Sequence, residues 1–279
     1  MSRIGEQQGR NYLSFATIAA LALSAATTTA LDPKEKDPTK VFAAMEDRDT
    51  GDKGIARVSM TLIDSSGRKR QRQMMSWRLK FNGGTKQLMI FESPADVRNT
   101  GLLSVDYDDS KKDDDQWLYL PALHRATRIA GADRSGSFLG TDLSYADLTG
   151  RDTEAYHHKM IKQSVKVDGE DCWLVESRPK TDKERSETGY LKTQFWISKS
   201  KLIPVQVKAW VEKGQKLKYI KFTDLKKHDR IWLAHTTTVR TMKNDKVEST
   251  TIMKVSGVKF NDPSVNDSMF SQRRMEQGL

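Results

Sequence analysis

The sequence predicts a mainly β protein of the α+β class, built on one large curved antiparallel sheet or open β-barrel of about 10–11 strands. Two observations carry this. Apolar residues recur with period two along most of the chain. Turn residues separate those runs at spacings that suit sequential antiparallel pairing. No internal repeat of solenoid or propeller length competes with this reading.

Taken in order, the first 30 residues read as a secretory signal peptide. Arg3 and Arg10 supply a positive start, residues 12–26 (YLSFATIAALALSAA) carry no charge, and the small Thr28 and Ala30 precede a cut before Leu31. The apolar stretch, about 15 residues, is short against the roughly 20 that span a bilayer. An uncleaved anchor is the alternative. No Arg-Arg pair precedes the stretch, which favours the general secretory route. Residues 31–279 are then expected to form a single domain.

A short helix is expected next. Asp37 can cap it, Pro38 suits its first turn, Val41, Phe42 and Met45 share one face, and Gly51 ends it. Strands follow. Met75, Trp77, Leu79 and Phe81 alternate with polar residues. Val205, Val207, Ala209 and Val211 alternate with Gln206, Lys208, Trp210 and Glu212, while Ile231 and Leu233 alternate with Trp232 and Ala234. Each run marks a strand with one buried face. Asp64-Ser65-Ser66-Gly67, Asn82-Gly83-Gly84, Asp168-Gly169, Lys213-Gly214 and Asn244-Asp245 are the turns between them.

Composition narrows function. Setting aside Arg3, Arg10 and Glu6 leaves 45 basic against 36 acidic residues, a net charge of +9. The Lys and Arg are spread through strands and loops, not gathered into an arm or helix. That argues against nucleic acid and is compatible with transient contact at an anionic membrane surface. The one cysteine, Cys172, excludes an internal disulfide and lies in an apolar run (CWLV) that suits a buried side chain. No cysteine stands just after the expected cut, so a lipid-anchored form is not expected. All six tryptophans fall inside expected strands, where they can line a cavity or pack the sheet.

No residue set points to catalysis, a cofactor or a metal. The acidic run 106–115 departs from a calcium loop because Lys111 occupies the glycine position and no closing glutamate follows; it reads as a solvated hairpin loop. His157 and His158 are adjacent, so on a strand they point to opposite faces. Ser135, Ser137 and Asp142 lie near His124 in sequence, but nothing orders them as a hydrolytic triad.

Within residues 86–150 the chain resembles the LolA-like family of outer-membrane lipoprotein-sorting proteins. The resemblance rests on KQLMIFESPADVRNTGLL (86–103), DDDQWLYLPALHRATRI (113–129) and DRSGSFLGTDLSYADL (133–148). It implies an incomplete barrel, with a few short helices closing its mouth over an apolar cavity. It further implies a periplasmic carrier of lipid or lipoprotein acyl chains, associated with inner-membrane transporters of the resistance-nodulation-division (RND) type. On this reading Trp77, Leu79, Ile90, Trp117, Tyr119 and Phe195 are candidates for the cavity wall. The loop 131–148 is a candidate flap, with Phe138, Leu139, Leu143 and Tyr145 as its apolar face; a static plug is the alternative. Two other classes stay open: an envelope hydrolase without a recognised motif, and an outer-membrane β-barrel.

Overall fold

The computed structural model describes residues 31–278. The expected signal peptide lies outside the described residues. Helix α1 (Pro38–Glu46) opens the fold. The Asp37 carboxylate accepts from the Thr39 and Lys40 amides, satisfying two of the donors every helix start leaves free. Val41, Phe42 and Met45 are buried as expected, but the helix stops at Glu46, where the Asp47 amide bonds to the Ala43 carbonyl. Gly51 takes a positive φ of 76° just before the first strand, so it serves the turn rather than the helix end.

Six strands follow: β1 (Lys53–Asp64), β2 (Lys69–Phe81), β3 (Gly84–Ser93), β4 (Gly101–Tyr107), β5 (Asp115–Leu120) and β6 (Arg125–Arg128). A long connection, 129–155, leads to β7 (Tyr156–Val167) and β8 (Glu170–Pro179). Helix α2 (Asp182–Thr188) precedes β9 (Tyr190–Ser198), β10 (Pro204–Val211), β11 (Lys216–His228), β12 (Ile231–Lys243) and β13 (Lys246–Phe260). Helix α3 (Gln272–Gln277) is the last described element.

All strands among the described residues join one curved antiparallel sheet of 13, in the order β6-β5-β4-β3-β2-β1-β13-β12-β11-β10-β9-β8-β7. The sequence expectation of 10–11 falls short for a physical reason. Strand β4 is buried on both faces, so it shows no alternation. The chain steps outward from the centre to β6, crosses to the far edge at β7, and steps back until β13 pairs with β1 (Val58 opposite Val255). The turns do what their residues allow. Asn244 and Asp245 both take positive φ, as do Asp168 and Gly169, matching the twist of tight hairpins.

Edges β6 and β7 do not pair with each other, so the sheet stays open. Hydrocarbon does not tolerate two edges of unpaired backbone groups, which removes the outer-membrane barrel reading.

The crossing segment 129–155 and helix α1 fill the inner face. Val41, Phe42, Phe138, Leu143 and Leu148 pack there against Val58, Met60 and Met74 from one half of the sheet and Trp173, Val175 and Val207 from the other. A second core lies on the outer face of β2–β5. Trp77, Leu79, Leu88, Ile90, Leu103 and Tyr119 are sealed there by Val265, Phe270 and Met275 of the C-terminal segment. The approach is close: a Cβ on Gly101 would come within 2.3 Å of the Met275 Cγ. Only glycine leaves room for α3 on β4.

Candidate ligand cavity

The inner face holds a cavity of about 240 Å³ between the two halves of the sheet. Its apolar wall includes Val58, Met74, Phe195, Phe222, Leu233 and Met253. These side chains share a wall because period two sends alternate residues of β1, β2, β9, β11, β12 and β13 inward. Helix α1 contributes Met45, and residues 146–152 of the crossing segment contribute a polar rim.

The mouth is bound by charge. The Lys183 ammonium on α2 meets the Asp113 carboxylate at 2.5 Å and Glu187 at 3.8 Å. Arg134 reaches Glu187 at 3.5 Å and donates to the Asp114 carbonyl. These contacts tie α2, the β4–β5 loop and residues 131–134 together. The Lys183 hydrogen bond holds the Asp113 carboxyl below its usual range. Burial does the reverse to Asp114 and raises its carboxyl to about 6. Burial also raises Asp106, helped by the charge of Asp114.

The segment proposed from sequence as a flap is anchored from both halves of the sheet. Arg72 on β2 donates to the Leu139 carbonyl at 2.8 Å, and Gln116 on β5 donates to the Tyr145 carbonyl at 3.0 Å. From the other half, Thr241, Ser249 and Thr251 all donate to the Asp142 carboxylate, at 2.5, 2.5 and 2.7 Å. Lys218 and Tyr190 hold the Asp147 carboxylate at 3.2 and 2.8 Å. Phe138 and Leu143 are fully buried in the inner core, and Leu139 and Tyr145 pack against it. None of these four apolar side chains is among the described residues lining the cavity.

Among the six residues expected for the wall, Phe195 lines the cavity. The structure places Trp77, Leu79, Ile90, Trp117 and Tyr119 together instead in the outer core, beneath Val265, Phe270 and Met275. The alternation was read in the right register, but β2 to β5 have cores on both sides, and the larger apolar residues belong to the outer one. The wall that sequence reasoning missed lies mostly in β11–β13. Ile231 and Leu233 line the cavity, but so do Trp232 and Ala234 between them, so alternation did not single out the wall there. The tryptophans scatter: Trp173 is in the inner core, Trp232 lines the cavity, Trp77 and Trp117 are in the outer core. Trp210 lies under the ammonium groups of Lys192 and Lys208.

Other sequence candidates stay apart. His124 is exposed on the turn before β6, Ser137 donates to the Thr141 carbonyl, and Asp142 is engaged as described. His158 stacks on Phe42 at 4.4 Å, and burial lowers it to about 4, so the ring is neutral at pH 7. Cys172 is buried, which pushes its thiol up to about 12. No group of three or more His, Cys, Asp or Glu among the described residues is arranged to hold a metal ion.

An open antiparallel sheet curved around a cavity, with short helices and a crossing segment on its inner face, defines the class: the LolA-like fold. Comparison with solved structures agrees. The chain is similar to a domain from Vibrio parahaemolyticus designated as outer membrane lipoprotein-sorting, with TM-score 0.76 and 29% identity over 86% of this chain and 98% of that one. It is similar to a DUF1329 family protein from Desulfovibrio piger, with TM-score 0.76 and 26% identity over 86% and 100%. A LolA superfamily protein from Nitrosomonas europaea shares the fold at TM-score 0.60 and 17% identity over 90% and 99%. A family model described as "uncharacterized protein" matches residues 83–277. The chain belongs to that family, and its fold is LolA-like. Comparison with curated proteins returned no match.

Proposed function

We propose that the chain is a periplasmic carrier that shields the acyl chain of a lipid or lipoprotein in its inner cavity. The observation that carries the reading is the apolar wall of Val58, Met74, Phe195, Phe222, Leu233 and Met253 inside an open sheet. Leaving an acyl chain in water costs about 0.8 kcal/mol per methylene, or on the order of 12 kcal/mol for a chain of about fifteen. A sheet too open to fill its own interior offers the shelter that offsets this cost. The cavity, at about 240 Å³, is below the roughly 300–1,000 Å³ typical of small-ligand sites. It takes part of such a chain, and movement of segment 131–148 makes room for the rest.

The reading includes export through a signal peptide at 1–30, a single domain over 31–279, transient contact with the membrane surface, and handover involving an inner-membrane transporter of the RND type. It assigns no catalytic residue, cofactor or metal. The designation of the Vibrio parahaemolyticus relative as lipoprotein-sorting supports it.

Native mass spectrometry of protein recovered from a bacterial envelope tests the reading, together with titration by a fluorescent fatty acid. Bound lipid and saturable binding are expected. Consistently empty protein that also ignores the fatty acid refutes the carrier. Leu233→Trp, which fills the cavity from its wall, should weaken fatty-acid binding by at least about tenfold.

A further inference from the structure

Arg151 stands at the junction of the cavity's apolar wall and its charged mouth. Its guanidinium carbon lies 3.8 Å from the Tyr156 ring centroid and 5.2 Å from that of Phe195, a wall residue. Its Nε is buried without a hydrogen-bond partner, and the ion pairs among the described residues near it, those of Arg134, Arg185 and Lys218, do not include it. The neighbouring acids are engaged elsewhere. Asp113 is held by Lys183, Glu187 by Arg134 and Lys183, and Asp147 by Lys218 and Tyr190. Glu184 accepts from the Tyr156 hydroxyl, and Asp152 accepts from the Glu154 amide.

A partly buried cation without a counter-ion is costly, and a ligand anion removes that cost. A guanidinium lying over an aromatic ring keeps its edge N–H donors for a planar, doubly accepting anion.

We infer that Arg151 holds the anionic headgroup, a carboxylate or phosphate, of an amphiphile whose apolar chain runs along Phe195 into the cavity. This rests on the carrier reading and narrows it: the cargo is an acidic lipid rather than a neutral one. Phe195 is the hinge of the geometry, since it touches both the charge and the wall. The guanidinium then discriminates by charge, and the wall by length.

The test uses the mature chain and four probes of equal length: dodecanoate, dodecyl phosphate, dodecanol and dodecylamine. Dodecanoate and dodecyl phosphate are expected to bind at least about tenfold more tightly than dodecanol, and whichever of the two is tighter names the headgroup. Arg151→Gln should erase that preference, while Arg151→Lys, which keeps the charge, retains part of it. Rising salt should shrink the preference in the unmodified chain, a readout independent of any variant. Equal affinity for anion and alcohol, a preference that survives Arg151→Gln, or tightest binding of the amine overturns the inference and leaves the carrier reading standing. Failure of all four probes, dodecanol included, overturns both.

Discussion

Strands β2 to β5 present two buried faces of opposite chemistry. The outer face carries Trp77, Leu79, Leu88, Ile90, Leu103 and Tyr119, sealed by the C-terminal segment. The inner face carries Met74, Met89, Phe91 and Leu102, but also Arg72, Ser76, Arg78, Gln87, Ser104, Asp106 and Gln116, all buried. Polar groups on that face are largely matched. Gln87 donates to Ser76, Gln116 to Ser104, and Arg78 to the Gly51 carbonyl at 2.8 Å. The outer face is a conventional core that fixes α3 onto the sheet. The inner face anchors a crossing segment by specific hydrogen bonds. A core held by shape tolerates no movement, whereas one held by a few polar anchors can release a segment when those anchors break.

The comparison can be broken at its strongest point first. Trp77→Ala removes the largest fully enclosed side chain of the outer core, where Trp117 is only partly buried, and should cost about 3–5 kcal/mol in urea unfolding. Ser76→Ala, its neighbour on the inner face, should cost about 1 kcal/mol. Similar losses for both would erase the distinction between the faces.

The next effect concerns the anchors. Asp142→Ala leaves the hydroxyls of Thr241, Ser249 and Thr251 without their shared acceptor, at a cost of about 2–3 kcal/mol. Hydrogen exchange should rise over residues 131–148 more than in β12 or β13. Uniform exchange would show that the segment is fixed by its apolar contacts alone, as a static plug. Phe138→Ser with Leu139→Ser tests the same point from the apolar side, and weaker ligand retention is the outcome expected of a flap.

The smallest effect is a pH dependence. Asp114 titrates near 6 in the folded chain because it is buried, against about 3.9 in an unfolded chain. A carboxyl raised by folding favours the folded state when protonated. Its contribution is full below about pH 4 and is lost as pH rises through about 6. Burial of Asp106 acts in the same direction. Asp114→Asn should therefore flatten the fall in melting temperature across that window. An unchanged slope would assign the dependence to other groups.

Much of the fold was legible in the sequence because local rules act locally. Asp37 and Pro38 start α1 wherever that helix lies. Asp168-Gly169 and Asn244-Asp245 turn the chain because their backbones accept positive φ. Period two marks a strand without reference to its neighbours. The cavity was less legible. Period two tells which residues share a face, and Trp77, Leu79, Ile90, Trp117 and Tyr119 do share one. It does not tell which face turns inward when both are buried.

The sequence by itself determined the class of fold, the turns, the helix start and the family resemblance, since each depends on residues a few positions apart or on a run of them. Tertiary structure alone decided which face encloses the cavity. That choice depends on where residues 261–278 dock and on β13 pairing with β1. Those contacts join residues far apart in the chain, and their free energy is gained only when the sheet is already assembled.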